Sequence, residues 1–133
     1  MKIINKTIEL NTEKLFDFRD ITEQIKEFRQ ESAISNGLAN VQIMHTSAAL
    51  IVNENEPNLI EDMKQAIERS ASREIEYQHR DNGHSHCKSI FLHNNITLNI
   101  IDKSLQLGQW QRIFLVELDS PRKRKVQIEI IGE

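Results

Sequence analysis

Hydrophobic and polar positions along the chain alternate with two periods, and the switches between them divide it into elements. In "MKIINKTIEL", Ile4, Ile8 and Leu10 share one parity and Thr7 and Glu9 the other, as in a strand with one buried face. From about 20 to 36 the period changes. Ile21, Ile25 and Phe28 fall on one helical face, Asp20 can cap the start with Glu23 three positions on, and Gly37 offers a C-terminal stop. Val41, Ile43 and His45 resume alternation, and after Thr46–Ser47 the run "AALIV" is apolar on both parities, which predicts a strand buried on both sides. Pro57 opens a second helix with a stripe of Leu59, Ile60, Met63, Ala66 and Ile67. A loop through Gly83 and a short helix at about 85–92 follow. Strands are predicted at about 96–101, 110–119 and 125–131. In the last, Val126, Ile128 and Ile130 oppose Gln127 and Glu129. Ser120-Pro121 is a turn signal and predicts a hairpin between the last two strands.

About six strands and three helices with hairpin links predict an α+β fold, a mainly antiparallel sheet sandwich, as a single domain over residues 1–133. "RIFLVEL" is apolar on both parities, so it is covered either by layers of the same chain or by a second subunit.

Composition narrows the class. Hydrophobic residues are 38% and charged residues 28%, as expected of a soluble globular protein, and the net charge of -3 argues against nucleic acid as a partner. The basic run "PRKRK" reads as a solvated strand start, although its alternation leaves room for an arginine to face a pocket. A single cysteine, Cys87, forms no intrachain disulfide and fits a reducing compartment. "AALIV" is far shorter than the ~20 apolar residues that cross a bilayer. The polar first ten residues do not resemble a signal peptide. The expected location is cytoplasmic.

Chemistry is concentrated in "YQHRDNGHSHCKSIFLH", which holds four of the five histidines: His79, His84, His86 and His93. On a helix over 85–92, His86 and His93 would lie about 10 Å apart along the axis, too far for one ion. A metal site therefore takes one histidine from the helix and others from elsewhere. His45 continues the inward stripe of Val41 and Ile43. By spacing alone it reads as a buried, hydrogen-bonded histidine, with His84 and His93 as solvated polar residues. Glu54 and Asp81 are carboxylates that can orient an imidazole or move a proton. Lys88, Ser89 and the start of the short helix offer donors to a phosphate.

"HTSAALIVNEN", "YQHRDNG", "HCKSIFL" and "LGQWQRIFLVELDSPRKRKV", in that order, resemble the YjbQ family, also called UPF0047. The resemblance spans about His45 to Gly132. It implies a compact α+β homotrimer with a pocket near the subunit contacts, and a weak thiamine-phosphate synthase-type activity in some members. The family's motifs fall on His45-Thr46, on Asn53-Glu54, and on Tyr77, Gln78 and His79 followed by Asp81. They continue on His86 and Ser89, on Trp110-Gln111 and on Arg122. The chain departs from the pattern at Gln109, where the family has threonine, and at His93 and Ser120, where it has glycine.

The resemblance thus selects His45, His79 and His86 as ligands of a divalent metal ion such as zinc, with Glu54 and Asp81 as acid/base groups. Lys88, Ser89, Trp110, Gln111 and Arg122 would receive a small phosphorylated or heterocyclic ligand. Thiamine-phosphate synthesis joins a pyrimidine carried on diphosphate to a thiazole phosphate. Departure of diphosphate ordinarily uses magnesium on oxygen ligands, whereas imidazoles suit zinc-like metals. A metal-dependent hydrolase, or a non-enzymatic trimer binding a metal or small ligand, are the alternatives.

Overall fold

The computed structural model describes residues 1–133. The alternating segments build β1 (Lys2–Asn11), β3 (Gly37–Ile43), β5 (Asn95–Ile101) and β8 (Lys123–Gly132), and the doubly apolar ones build β4 (Ala48–Asn53) and β7 (Arg112–Glu117). Two short strands, β2 (Phe18–Asp20) and β6 (Ser104–Leu105), join them. The helices are α1 (Thr22–Ser32), α2 (Pro57–Ser70) and α3 (Gly83–Ser89). One sheet has the order β1-β8-β3-β5-β6 and the other β2-β7-β4. All pairings are antiparallel.

The two sheets face each other across a core of Val41, Ile43, Val126, Ile128 and Ile130 on one side and Leu50, Ile113 and Leu115 on the other. Ile21, Ile25 and Phe28, the predicted face of α1, join this core. The reverse face of β4 and β7, with Ala49, Ile51, Phe114 and Val116, is buried under Phe16 and Ile67 of α2. Each fully buried large apolar side chain contributes about 1.5–3 kcal/mol. The double apolarity of "AALIV" and "RIFLVEL" is thus satisfied by layers of the chain itself. It carries no information about a second subunit.

Several expectations are corrected. The last two strands do not form a hairpin: β7 pairs in the small sheet and β8 in the large one. The turn at Ser120-Pro121 carries the chain between sheets because both strands have an inward face to bury. α1 stops at Ala33, which takes a left-handed conformation (φ 61). Gly37 begins β3 instead, where a Cβ would stand 2.0 Å from the Ile131 carbonyl oxygen. Asp20 lies one position further from the helix than expected, and its Oδ1 accepts the Thr22 N–H at 3.0 Å. In α2 the N-terminal N–H groups of Asn58 and Leu59 are donated to the Glu56 carboxylate, with Pro57 following as predicted. α3 begins two residues earlier than expected and ends at Ser89, so His93 lies beyond it. No helix is long and apolar enough to cross a membrane.

Candidate functional site

The connections β3–β4, α2–α3 and β7–β8 meet at one end of the sandwich, and the histidines collect there. His86 projects from α3, and its Nδ1 lies 2.9 Å from the Thr46 carbonyl oxygen. A carbonyl only accepts, so Nδ1 carries the hydrogen, and in the neutral ring the lone pair is on Nε2. The His79 ring stands edge-on to His86, with centroids 4.9 Å apart and an interplanar angle of 78°. Asn82 fixes the His79 tautomer. Its Nδ2 donates to Asp119 Oδ2 at 2.7 Å, and this turns its Oδ1 toward His79 Nε2 at 3.0 Å. Nε2 therefore donates, and in the neutral ring the lone pair is on His79 Nδ1. Arg122 Nη2 anchors the far side of the chain by donating to Asp119 Oδ2 at 2.9 Å and to Ser120 Oγ at 2.8 Å.

His45 plays a different part. Strand β3 leaves β8 after the pair Ile43–Val126, and the next N–H of β8, at Lys125, donates to His45 Nε2 at 3.0 Å. The imidazole stands where a strand carbonyl would be. Burial pushes its pKa down, and the positive charge of Arg124 adds to this. The amide hydrogen directed at Nε2 also favours the neutral ring. Neutral His45 then presents an Nδ1–H donor rather than a lone pair. The three selected imidazoles thus offer two acceptors and one donor. No three His, Cys, Asp or Glu side chains of the chain converge as metal ligands.

The other selected residues divide between the two ends of the small sheet. Ser89 lines a cavity of about 260 Å3 with His45, Thr46 and His93, and its Oγ donates to the His86 carbonyl at 2.7 Å. Asp81 lines a separate cleft of about 300 Å3 with Tyr77 and His84. Glu54, Trp110 and Gln111 sit at the far end. β4 runs from Ala48, paired with Glu117, to Asn53, paired with Arg112. At about 3.3 Å per residue this strand separates Glu54 from the histidines by roughly 20 Å. Trp110 is 64% exposed in a turn rather than in the predicted strand, and Gln111 Oε1 accepts the Gly108 N–H at 2.7 Å.

Lys88 is removed from the set of phosphate donors. Its side chain is fully buried, with Nζ 2.8 Å from the Ala71 carbonyl, 2.8 Å from His84 Nδ1 and 3.2 Å from Glu68 Oε1. Nζ donates to the first two and stands against the third as an ion pair, which leaves the buried ammonium turned away from any ligand. Burial pushes its pKa down, against the pull of Glu68. His84, expected to be solvated, is half-buried as an acceptor of this ammonium. His93 is exposed and pairs with Leu50 only through its backbone.

Beneath the histidines lies a buried ion pair, in which the inward arginine that the alternation of "PRKRK" allowed is Arg124 and its unanticipated partner is Glu117. Glu117 of β7 and Arg124 of β8 are both buried and form a two-pronged ion pair between the sheets, Nε to Oε1 at 2.9 Å and Nη2 to Oε2. Thr12 Oγ1 donates to Glu117 Oε1 at 2.6 Å, and Ser47 accepts from Arg124 through its carbonyl and hydroxyl, each at 2.9 Å. Parity was the available signal: Arg124 shares the inward face of Val126, Ile128 and Ile130, and Glu117 lies within an apolar run.

Comparison with known proteins identifies relatives of the whole fold. The family model described as "UPF0047 protein YjbQ-like" matches residues 6–133. A UPF0047 protein of Methanothermobacter thermautotrophicus is 32% identical, with 100% of this chain and 95% of the relative covered. The UPF0047 protein YugU of Bacillus subtilis is 32% identical, with 96% of this chain and 98% of the relative covered. Among solved structures, a YbjQ-like protein of Sulfolobus solfataricus superposes with a TM-score of 0.96 at 34% identity, covering 99% of each chain. A YjbQ/UPF0047 family protein of Clostridium acetobutylicum gives a TM-score of 0.90 at 34% identity, covering 95% of this chain and 99% of the other.

Proposed function

This chain belongs to the UPF0047 YjbQ-like family, and on that premise we propose that its histidine end is the reaction centre for a small phosphorylated or heterocyclic ligand, with a divalent transition metal anchored by His79 and His86. The observation that carries this reading is the edge-on pair itself. Two adjacent imidazoles each keep one nitrogen free, His79 Nδ1 and His86 Nε2, while the other nitrogen is tied to Asn82 and to Thr46. Such second hydrogen bonds orient ligating histidines. Two imidazoles fit a zinc-like ion with open positions, the catalytic rather than the structural arrangement. When bound, such an ion supplies polarisation of a phosphoryl or carbonyl oxygen.

The chain's own groups do the rest. The His45 Nδ1–H is a donor for a developing oxyanion. His45 can serve as the third ligand only by giving up that proton. Asp81, two positions after His79, is the acid/base group, and the exposed Arg122, linked to His79 through Asp119 and Asn82, is the cationic one. Glu54 and Trp110 reach the histidines only from a second copy, which is why we place the centre at a subunit contact of a homotrimer. Thiamine-phosphate synthesis at low rate fits a site that binds a flat heterocycle and stabilises a departing diphosphate.

Metal uptake by untagged protein tests the anchor. After incubation with zinc and dialysis, the native protein should retain about one ion per chain. The His79→Ala and His86→Ala proteins should fold and lose it, and His45→Ala should retain it. Native protein that takes up no zinc would overturn the proposal.

A further inference from the structure

A cleft of about 470 Å3 lies away from the histidines, between α1 and the segment that leads from β6 into β7. Its lining carries Lys26, Arg29, Lys103 and Arg112 and no carboxylate. The protein as a whole is acidic, with a net charge of -3. Arg112 is oriented and neutralised from behind by Asp20 at 2.8 Å and Glu23 at 3.0 Å. None of the chain's ion pairs engages the other three cations.

These charges are placed by backbone, not scattered. Lys26 and Arg29 stand at i and i+3 on α1, where side chains are neighbours, about 5–6 Å apart at Cβ. Lys103 lies across the cleft in a tight turn with positive φ at Asp102 (48) and Lys103 (65). That turn is pinned: the Lys103 N–H donates to the Ser35 carbonyl at 2.9 Å and the Asp102 N–H to Asn36 Oδ1 at 3.1 Å. Gln111 adds donors only, because its Oε1 is taken by the Gly108 N–H at 2.7 Å. A concavity lined by like charges and amide donors concentrates anions. The cations come from separate segments, Lys26 and Arg29 from α1, Lys103 from the turn before β6 and Arg112 from the start of β7, which matches an anion with charge at more than one centre.

We infer that this cleft binds a small polyanion of the diphosphate type. It shares no residue with the histidine pair and stands whether or not that pair holds a metal.

The chain's single tryptophan, Trp110, is exposed between two lining residues, Gln109 and Gln111, and reports on the cleft. Native protein in chelator-containing buffer is titrated with inorganic pyrophosphate at constant ionic strength, read by tryptophan fluorescence and, in parallel, by equilibrium dialysis. Saturable binding is expected, weakened at least ~10-fold in the Arg29→Gln/Lys103→Gln protein through the loss of two charge-assisted contacts. The His86→Ala protein should bind as the native one does. Equal affinity in the double variant, or no saturable binding by dialysis, would overturn the inference. So would oligonucleotide affinity that grows with length while pyrophosphate leaves both readouts flat.

Discussion

His45 shows what a single side chain does at the site. Its ring completes the β8 ladder by accepting the Lys125 N–H, and its neutrality is enforced by burial and by Arg124. His84 is likewise held below the ordinary histidine range, by burial first and by the Lys88 ammonium second. For both, the folded chain binds fewer protons than the unfolded one below the ordinary value of 6.5. Stability is therefore fully present above that value and falls as pH drops through it toward the depressed folded pKa. Denaturant unfolding measured between about pH 7.5 and about pH 5 should show this loss. The His45→Gln/His84→Gln protein keeps hydrogen-bonding side chains without the titration, so its profile there should be flatter. An unchanged slope would remove these two groups as the cause. The inward direction of His45 was legible from its parity with Val41 and Ile43. Its partner was not, because Lys125 is 80 positions away and no local pattern encodes that meeting. Lys88 misled for a related reason: a lysine two residues after His86 reads as a donor, and only the fold reveals that Ala71, His84 and Glu68 surround it.

At the scale of elements, periodicity found the six long strands and three helices because each buries one stripe or two. It missed β2 and β6, which have three and two residues and too little length to show a period. It also joined β7 to β8 by their short turn, since a turn signal does not say which sheet the next strand enters. Gly37 was read as a helix stop, yet its role lies in strand packing. It faces Gly132 across the β3–β8 pair, and a Cβ on it would fall 2.0 Å from the Ile131 oxygen and 2.8 Å from the Gly132 Cα. Both obstacles are backbone, so the strands themselves must part. Gly37→Ala should destabilise the fold by about 1–3 kcal/mol, the range for overpacking. Gly108→Ala is the comparison, because its added Cβ meets only the flexible end of Gln111 at 3.3 Å. Thermal unfolding of the two proteins side by side should lower Tm clearly for the first and little for the second. Equal shifts would mean that the strand contact yields more easily than its geometry suggests.

At the scale of the molecule, the residues grouped by the family pattern lie at two ends of one chain. The imidazoles sit where β4 begins, and Glu54, Trp110 and Gln111 sit where β4 ends and β7 begins. No rearrangement of side chains spans that length, so a shared site requires a second copy. The surface beside the histidines is suited to one. Met44 is 64% exposed next to His45, and Ile90 and Phe91 are 74% and 63% exposed just after α3. Ile90 lines the same cavity as His45. Large apolar side chains grouped on a surface mark an interaction site more often than solvent-facing decoration. If neighbouring copies cover them, the native protein should sediment as a trimer of 15.5 kDa chains. Replacing Ile90 and Phe91 by aspartate should yield folded monomers, since a buried unpaired carboxylate in each contact is not tolerated. Metal retention by those monomers then separates two questions. A monomer that still holds zinc through His79 and His86 keeps the anchor within one chain and assigns assembly to the delivery of Glu54 and Trp110. A native protein that is already monomeric at micromolar concentration leaves those two residues no path to the histidines, and the proposed reaction centre contracts to the imidazole pair, His45 and Asp81.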